Sequence, residues 1–232
     1  MRVISRRGLV ASLIGLASLG SGCNPFLFPA FLFGPEPREE ARLKKLASSD
    51  KTKEVKVVIL PVLVGLETRQ EFIGADFLLS DALVRQLKKL FEFNDEKVKI
   101  ISPSKVEDFK KTHASWRKEV DLKEIGRHFK ADYVIYLELS SLSLYEKGSA
   151  NQIYRGRASV RVSVVNVNDP DDMPMPREFS YVYPSDARGG MAVDLDTPPT
   201  MFREQFLNYI AKQIAWLFSA HPTSHTYYDV DD

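Results

Sequence analysis

Residues 55–64, VKVVILPVLV, form an almost unbroken run of β-branched and leucine side chains. A strand with one wet face alternates apolar and polar residues, so a run of this kind belongs to a strand covered on both faces. It predicts a central strand with other elements layered above and below it, broken or ended at Pro61, which cannot donate to a ladder. The patterns downstream supply those layers. From Gly74 to Phe91, the residues Leu79, Ala82, Leu83, Leu87, Leu90 and Phe91 recur at threes and fours with Arg85, Lys88 and Lys89 between them, the pattern of an amphipathic helix. A short strand over 98–101 should follow. A helix opened by a Ser104/Glu107 capping box should then run to about residue 112, and one opened by Asp121/Glu124 through residue 129.

Residues 132–139 and 154–167 are strand-like and are separated by the turn residues Gly148-Ser149-Ala150-Asn151, which predicts an antiparallel hairpin. In its second strand Ala158, Val160, Val162 and Val164 share one face, the core, while Arg155, Arg157 and Arg161 share the solvent face. A last strand over 178–183 leads to a loop over 184–197 that contains Gly189-Gly190 and is expected to be mobile. A closing helix behind Pro198-Pro199 carries Phe202, Phe206, Ile210, Ile214 and Leu217 on one stripe. The order β α β α α β β β α predicts an α/β (α+β) fold, a mixed sheet of about five strands with helices packed on it.

The amino terminus has a different character. Arg2, Arg6 and Arg7 precede an apolar stretch over 9–19, and Gly20, Ser21 and Gly22 then lead to Cys23, the layout of a secretory signal. The stretch is well short of the roughly 20 residues that a spanning helix needs. Small residues directly before a cysteine resemble the lipobox of bacterial lipoproteins, which implies acylation of the Cys23 thiol and cleavage in front of it. Asn24 is not the aspartate that retains many lipoproteins at the inner membrane, so the expected location is the outer membrane, facing the periplasm. Export is expected by the general secretory route, with Ser5-Arg6-Arg7 also fitting a twin-arginine signal. Phe26, Phe28, Phe31 and Phe33 lie between prolines that forbid a regular helix and could rest in the headgroup region beside the anchor. The expected division is therefore a signal peptide over 1–22, a lipid-anchored linker over 23–54, an α/β interaction domain over 55–220 and a flexible acidic tail over 221–232.

Composition removes several classes of function. The chain holds 32 Lys and Arg against 31 Asp and Glu, and three of those arginines fall in the signal, so no bulk attraction to nucleic acid is expected. A single cysteine excludes an internal disulfide. The serine-hydrolase elbow, the phosphate-binding loop and the dinucleotide glycine fingerprint are absent, and no cofactor is expected. His221 and His225 stand four apart with Asp229, Asp231 and Asp232 nearby, but the intervening Pro222-Thr223-Ser224 breaks a common helical face, so no metal site is expected there. His113 and His128 read as surface or capping residues.

VVILPV at 57–62, GADFLLSDALVRQL at 74–87, IGRHFKADYVIYLEL at 125–139 and VRVSVVNVND at 160–169 follow in an order and spacing that resemble a group of bacterial envelope lipoproteins. Their domain is similar to the amino-terminal domain of TolB, and the group includes the curli secretion lipoproteins and the lipoprotein activators of penicillin-binding proteins. The resemblance spans about residues 55–185 and rests on strand and helix patterns. It implies an adaptor or assembly role with no enzymatic activity; a curli-type pore would need further alternating strands of roughly ten residues. The expected partner is another envelope protein or the cell wall, met by a surface drawn from Arg155, Arg157, Arg161, Tyr181 and Tyr183. The competing expectation is a secreted hydrolase or metal-dependent enzyme whose site is assembled from residues distant in sequence.

Overall fold

The computed structural model describes residues 38–65, 72–113, 116, 121–185 and 197–223. The chain divides into two units, Glu39–His221 and the chain ends 1–38 with 222–232; Arg38, Pro222 and Thr223 are the described residues of the second. The two-residue strands β1 (Arg38–Glu39) and β7 (His221–Pro222) mark the boundary. Between them run β2 (Val55–Leu63), α1 (Ala75–Phe93), β3 (Val98–Ile100), α2 (Pro103–Thr112), α3 (Leu122–Phe129), β4 (Tyr133–Tyr145), β5 (Tyr154–Asn166), β6 (Arg177–Tyr183) and α4 (Pro199–Ala215). This is the expected order. The five-stranded sheet runs β3-β2-β4-β5-β6, with β2 parallel to both neighbours and the remaining pairs antiparallel.

β2 is buried on both faces because its alternate residues feed two cores. Val57, Ile59 and Leu63 join Leu79, Leu83 and Leu87 of α1 and Phe202, Phe206 and Ile210 of α4. Val58, Leu60 and Val62 join Val106 and Phe109 of α2, Leu122 and Ile125 of α3, and Val134 and Val165 of the neighbouring strands. The solvent face of β5 is therefore dry at Ser163 and Val165 and meets water only from Arg161 back toward the β4–β5 hairpin.

Pro61 neither breaks nor ends β2. The N–H of Val55 and the carbonyl of Val57 bond toward β3 while Lys56 bonds to Asp132, so odd residues aim their backbone polar groups away from β4. Pro61 is one of these. Its missing N–H costs the β4 ladder nothing, and its carbonyl accepts from Lys110 Nζ at 2.7 Å.

Three other expectations need correction. α2 starts at Pro103 behind Ser102, with no side-chain cap, because a proline at the first helical position presets the helical φ ahead of the Ser104/Glu107 box. α3, by contrast, is capped as expected, with Asp121 accepting from the N–H groups of Lys123 and Glu124. β4 runs past residue 139 to Tyr145, with a register shift between Leu139 and Ser141. That bulge switches which parity faces inward, so Leu137, Leu139, Leu142 and Leu144 all reach one core. Finally, the part of the linker from Glu39 to residue 54 is docked as a strap. The N–H groups of Arg42, Leu43, Lys44 and Leu46 donate to the carbonyls of Trp216, Leu217 and Phe218, and Leu46 is buried in the main core.

Candidate functional site

On the sheet face away from α1 and α4, the far halves of β4, β5 and β6 present Glu138, Ser141, Arg157, Ser159, Arg161 and Glu178, all exposed or half-buried. The strand period of two puts them there. Glu138 and Arg161 are register partners across β4 and β5, and Arg161 Nη1 lies 3.3 Å from Glu138 Oε2. Arg155 Nε and Arg157 Nη2 converge on the Glu146 carboxylate at 3.2 and 3.0 Å. Ser159 donates to Glu178 at 2.6 Å. Each arginine of the expected row thus has a carboxylate beside it. The face is polar, ion-paired and close to neutral, suited to many weak directional contacts, and each exposed pair contributes about 0–1 kcal/mol to the fold.

At the tip of the β4–β5 hairpin a hollow of about 520 Å³ is lined by residues that include Ser143, Tyr145, Glu146, Lys147, Asn151 and Arg157. The turn that shapes it holds Ala150 and Asn151 at φ of 49° and 63°, a left-handed conformation unusual for side-chain-bearing residues.

Tyr181 and Tyr183 do not belong to this face. In β6 the odd residues Phe179, Tyr181 and Tyr183 point toward α4, so the two tyrosines fall in or against the main core. Tyr181 is buried, and desolvation raises its hydroxyl above the ordinary tyrosine range. Tyr183 packs on Phe202, Phe206 and Tyr209 with ring centroids 5.3 to 6.2 Å apart. The alternation in R-E-F-S-Y-V-Y carries this signal in the sequence.

A second feature lies at the carboxyl ends of β2 and β3. The chain leaves β2 for α1 on one face of the sheet and β3 for α2 on the other, the arrangement that opens ligand crevices in α/β sheets. A crevice of about 490 Å³ is lined there by residues that include Gly74, Asp76, Phe77, Ser104, Glu107 and Lys111. The buried Lys110 ammonium bonds Pro61 O at 2.7 Å, Glu107 at 2.6 Å and Asp76 at 3.3 Å, joining β2, α2 and α1. Both carboxylates are committed to one ammonium, an arrangement that ties elements together rather than an acid–base pair. Sequence reasoning missed Lys110. Its spacing from Val106 and Phe109 on one helix face was the available signal.

His113 and His128 come together with Phe109 and Phe129, the two imidazole centroids 5.3 Å apart. His113 Nδ1 lies 2.9 Å from Thr112 Oγ1 and 3.2 Å from the Phe109 carbonyl oxygen. His221 is buried rather than part of a tail, stacked on Trp216 at 4.5 Å with Nε2 3.6 Å from Glu39, and burial lowers its pKa. Among the described residues no group of three or more His, Cys, Asp or Glu is placed to hold a metal ion, and no helix is long and apolar enough to cross a membrane. Cys23, Phe26, Phe28, Phe31, Phe33, Gly189-Gly190, His225 and the terminal aspartates lie outside the described residues.

No family model matches the chain, and no curated protein matches it. Among solved structures it is similar to lipoprotein GNA1162 from Neisseria meningitidis, at 10% identity over 69% of this chain and 98% of that one, with a TM-score of 0.42. It is also similar to the hypothetical protein CT253 from Chlamydia trachomatis, at 15% identity, 70% and 96% coverage and a TM-score of 0.42. A third is the PelC dodecamer from Paraburkholderia phytofirmans, at 8% identity, 80% and 99% coverage and a TM-score of 0.37. Identities and scores this low carry no functional conclusion.

Proposed function

We propose that this chain is a cell-envelope lipoprotein of the TolB-like group, held by acyl chains on Cys23 at the outer membrane and facing the periplasm. Its α/β unit acts as a non-enzymatic adaptor for another envelope protein or for the cell wall. The observation that carries this reading is the order basic start, short apolar stretch, small residues and sole cysteine over 1–23. Phe26, Phe28, Phe31 and Phe33 then rest among the lipid headgroups. The adaptor role is supported by a sheet whose wet face is lined with serine and paired charges, and by a crevice in which Asp76 and Glu107 are both bonded to Lys110. The test is affinity capture from detergent-solubilised envelopes and from isolated cell wall, comparing the natural chain with one in which Arg155, Arg157 and Arg161 are all Ser. A partner held by the natural chain and weakened in the triple variant supports the reading. Equal capture by both removes the sheet face from it.

A further inference from the structure

Docking of the strap changes how far the folded unit can stand from its anchor. With the chain packed from Glu39 onward, residues 24–38 are all that separates the unit from Cys23. Fifteen residues fully extended reach at most about 50 Å.

The end of the unit from which this segment leaves also bears its most exposed large apolar side chains. Met173 and Met175 are 71% and 78% exposed. They stand on the loop between β5 and β6, where Pro174 and Pro176 restrict the backbone. The loop is held in place: Asp172 accepts from the Asn166 N–H at 2.7 Å, and the Pro170 carbonyl accepts from Lys123 Nζ at 2.6 Å. Lys44 of the strap bonds Asp172 at 3.4 Å, which fixes the loop to the segment that leads to the anchor. Phe93, 45% exposed, ends α1 close by, where Glu96 meets Lys45 of the strap. From Glu39 to residue 54 the strap carries five cations, Arg42, Lys44, Lys45, Lys51 and Lys53, against Glu39, Glu40, Asp50 and Glu54. Arg42, Lys44, Lys45 and Lys51 each lie within 4 Å of a carboxylate, so the strap adds little net charge at this end.

We infer that Met173 and Met175 enter the surface of the membrane that holds Cys23, so that the unit lies on the lipid by this end. The inference rests on the lipid-anchor reading. Unbranched methionine side chains on a fixed loop suit an irregular acyl surface.

The full acylated chain carrying Met173→Cys is reconstituted in vesicles of phosphatidylethanolamine and phosphatidylglycerol. Acylation occupies the Cys23 sulfur, so a nitroxide attaches only at the new thiol; Met175→Cys repeats the measurement and Lys147→Cys, at the hairpin tip, is the aqueous reference. In electron paramagnetic resonance power saturation, oxygen should relax the label at 173 and 175 more than a water-soluble nickel chelate does, and the order should reverse at 147. Labels at 173 and 175 as open to nickel as the one at 147, in protein that floats with the vesicles, overturn the inference and leave the anchor standing. Labels shielded from both reagents show a protein contact and also overturn it. Protein that fails to float removes the anchor and the inference together.

Discussion

Replacing Leu46 with Ala tests whether the strap is part of the folded unit. Leu46 is 1% exposed and sits in the main core, carried there by backbone bonds from residues 42–46 to the carbonyls of residues 216–218. Truncating a fully buried leucine costs about 2–5 kcal/mol, the spread reflecting how far the surroundings close on the cavity. The strap lies at the rim of the core and can settle inward, which places the expected loss near the lower part of that range, about 3 kcal/mol. At roughly 2–4 °C per kcal/mol for a domain of this size, Tm should fall by roughly 6–12 °C. Leu43, half-buried against the same core, should lose about half as much on truncation. The assay is urea unfolding of the chain without its signal, followed both by circular dichroism and by tryptophan fluorescence. A Trp116→Phe background leaves Trp216, whose carbonyl accepts from the Arg42 N–H, as the reporter. One coincident transition, shifted as stated, is the expected result. A loss below about 0.5 kcal/mol would show that residues 39–54 do not help hold the fold, and the short span to the membrane would go with them.

Lys110→Met should destabilise the unit by about 3 kcal/mol in the same assay, since it strips one buried ammonium from Asp76, Glu107 and the Pro61 carbonyl; a neutral result would show the triad to be dispensable. Gly156→Ala should cost about 1–3 kcal/mol, because a Cβ there would meet the Phe206 ring at 2.6 to 2.8 Å, and a stability within 0.5 kcal/mol of the natural chain would contradict the packing of α4 on β5. A double-mutant cycle on Glu138 and Arg161 should return a coupling of about 0.2–1 kcal/mol that shrinks in salt, whereas a larger, salt-insensitive value would mean the pair is shielded from water. Burial lowers the pKa of His221 in the folded chain from 6.5, so the unfolded chain takes up this proton more readily. That contribution to stability is complete above pH 6.5 and is lost as pH falls below it. His221→Phe, which keeps a ring over Trp216, should flatten the change in urea midpoint between about pH 7 and 5, and an unchanged slope would refute this.

The order and type of the elements were legible because the long apolar patterns are unambiguous. The run from Val55 could only be buried on both sides, and the stripe from Phe202 to Ile214 could only be one helix face. What stayed hidden was decided by contacts remote in sequence. The bulge at Ser140 interrupts the period of two just where L-E-L-S-S-L-S-L loses its alternation, so β4 reads as ending six residues early. Leu43 and Leu46 are two apolar residues in a charged stretch, and only the carbonyls at the end of α4 reveal that they dock. Pro61 looked like a break because the sequence does not say which side of β2 carries a ladder. At the sheet face the arginines were legible, while Glu138 and Glu146, which neutralise them, are supplied by register. Tyr181 and Tyr183 were misplaced although their own alternation pointed inward.

Covalent lipid on the Cys23 sulfur is the proposed anchor on which the adaptor role depends. Cells grown with labelled palmitate, followed by envelope fractionation and mass measurement of the amino-terminal peptide, address it directly. The predicted result is label in an envelope-bound chain that begins at an acylated Cys23, with Cys23→Ser unlabelled and released from the membrane. An unlabelled natural chain, or an uncut one in the cytosol, would contradict it.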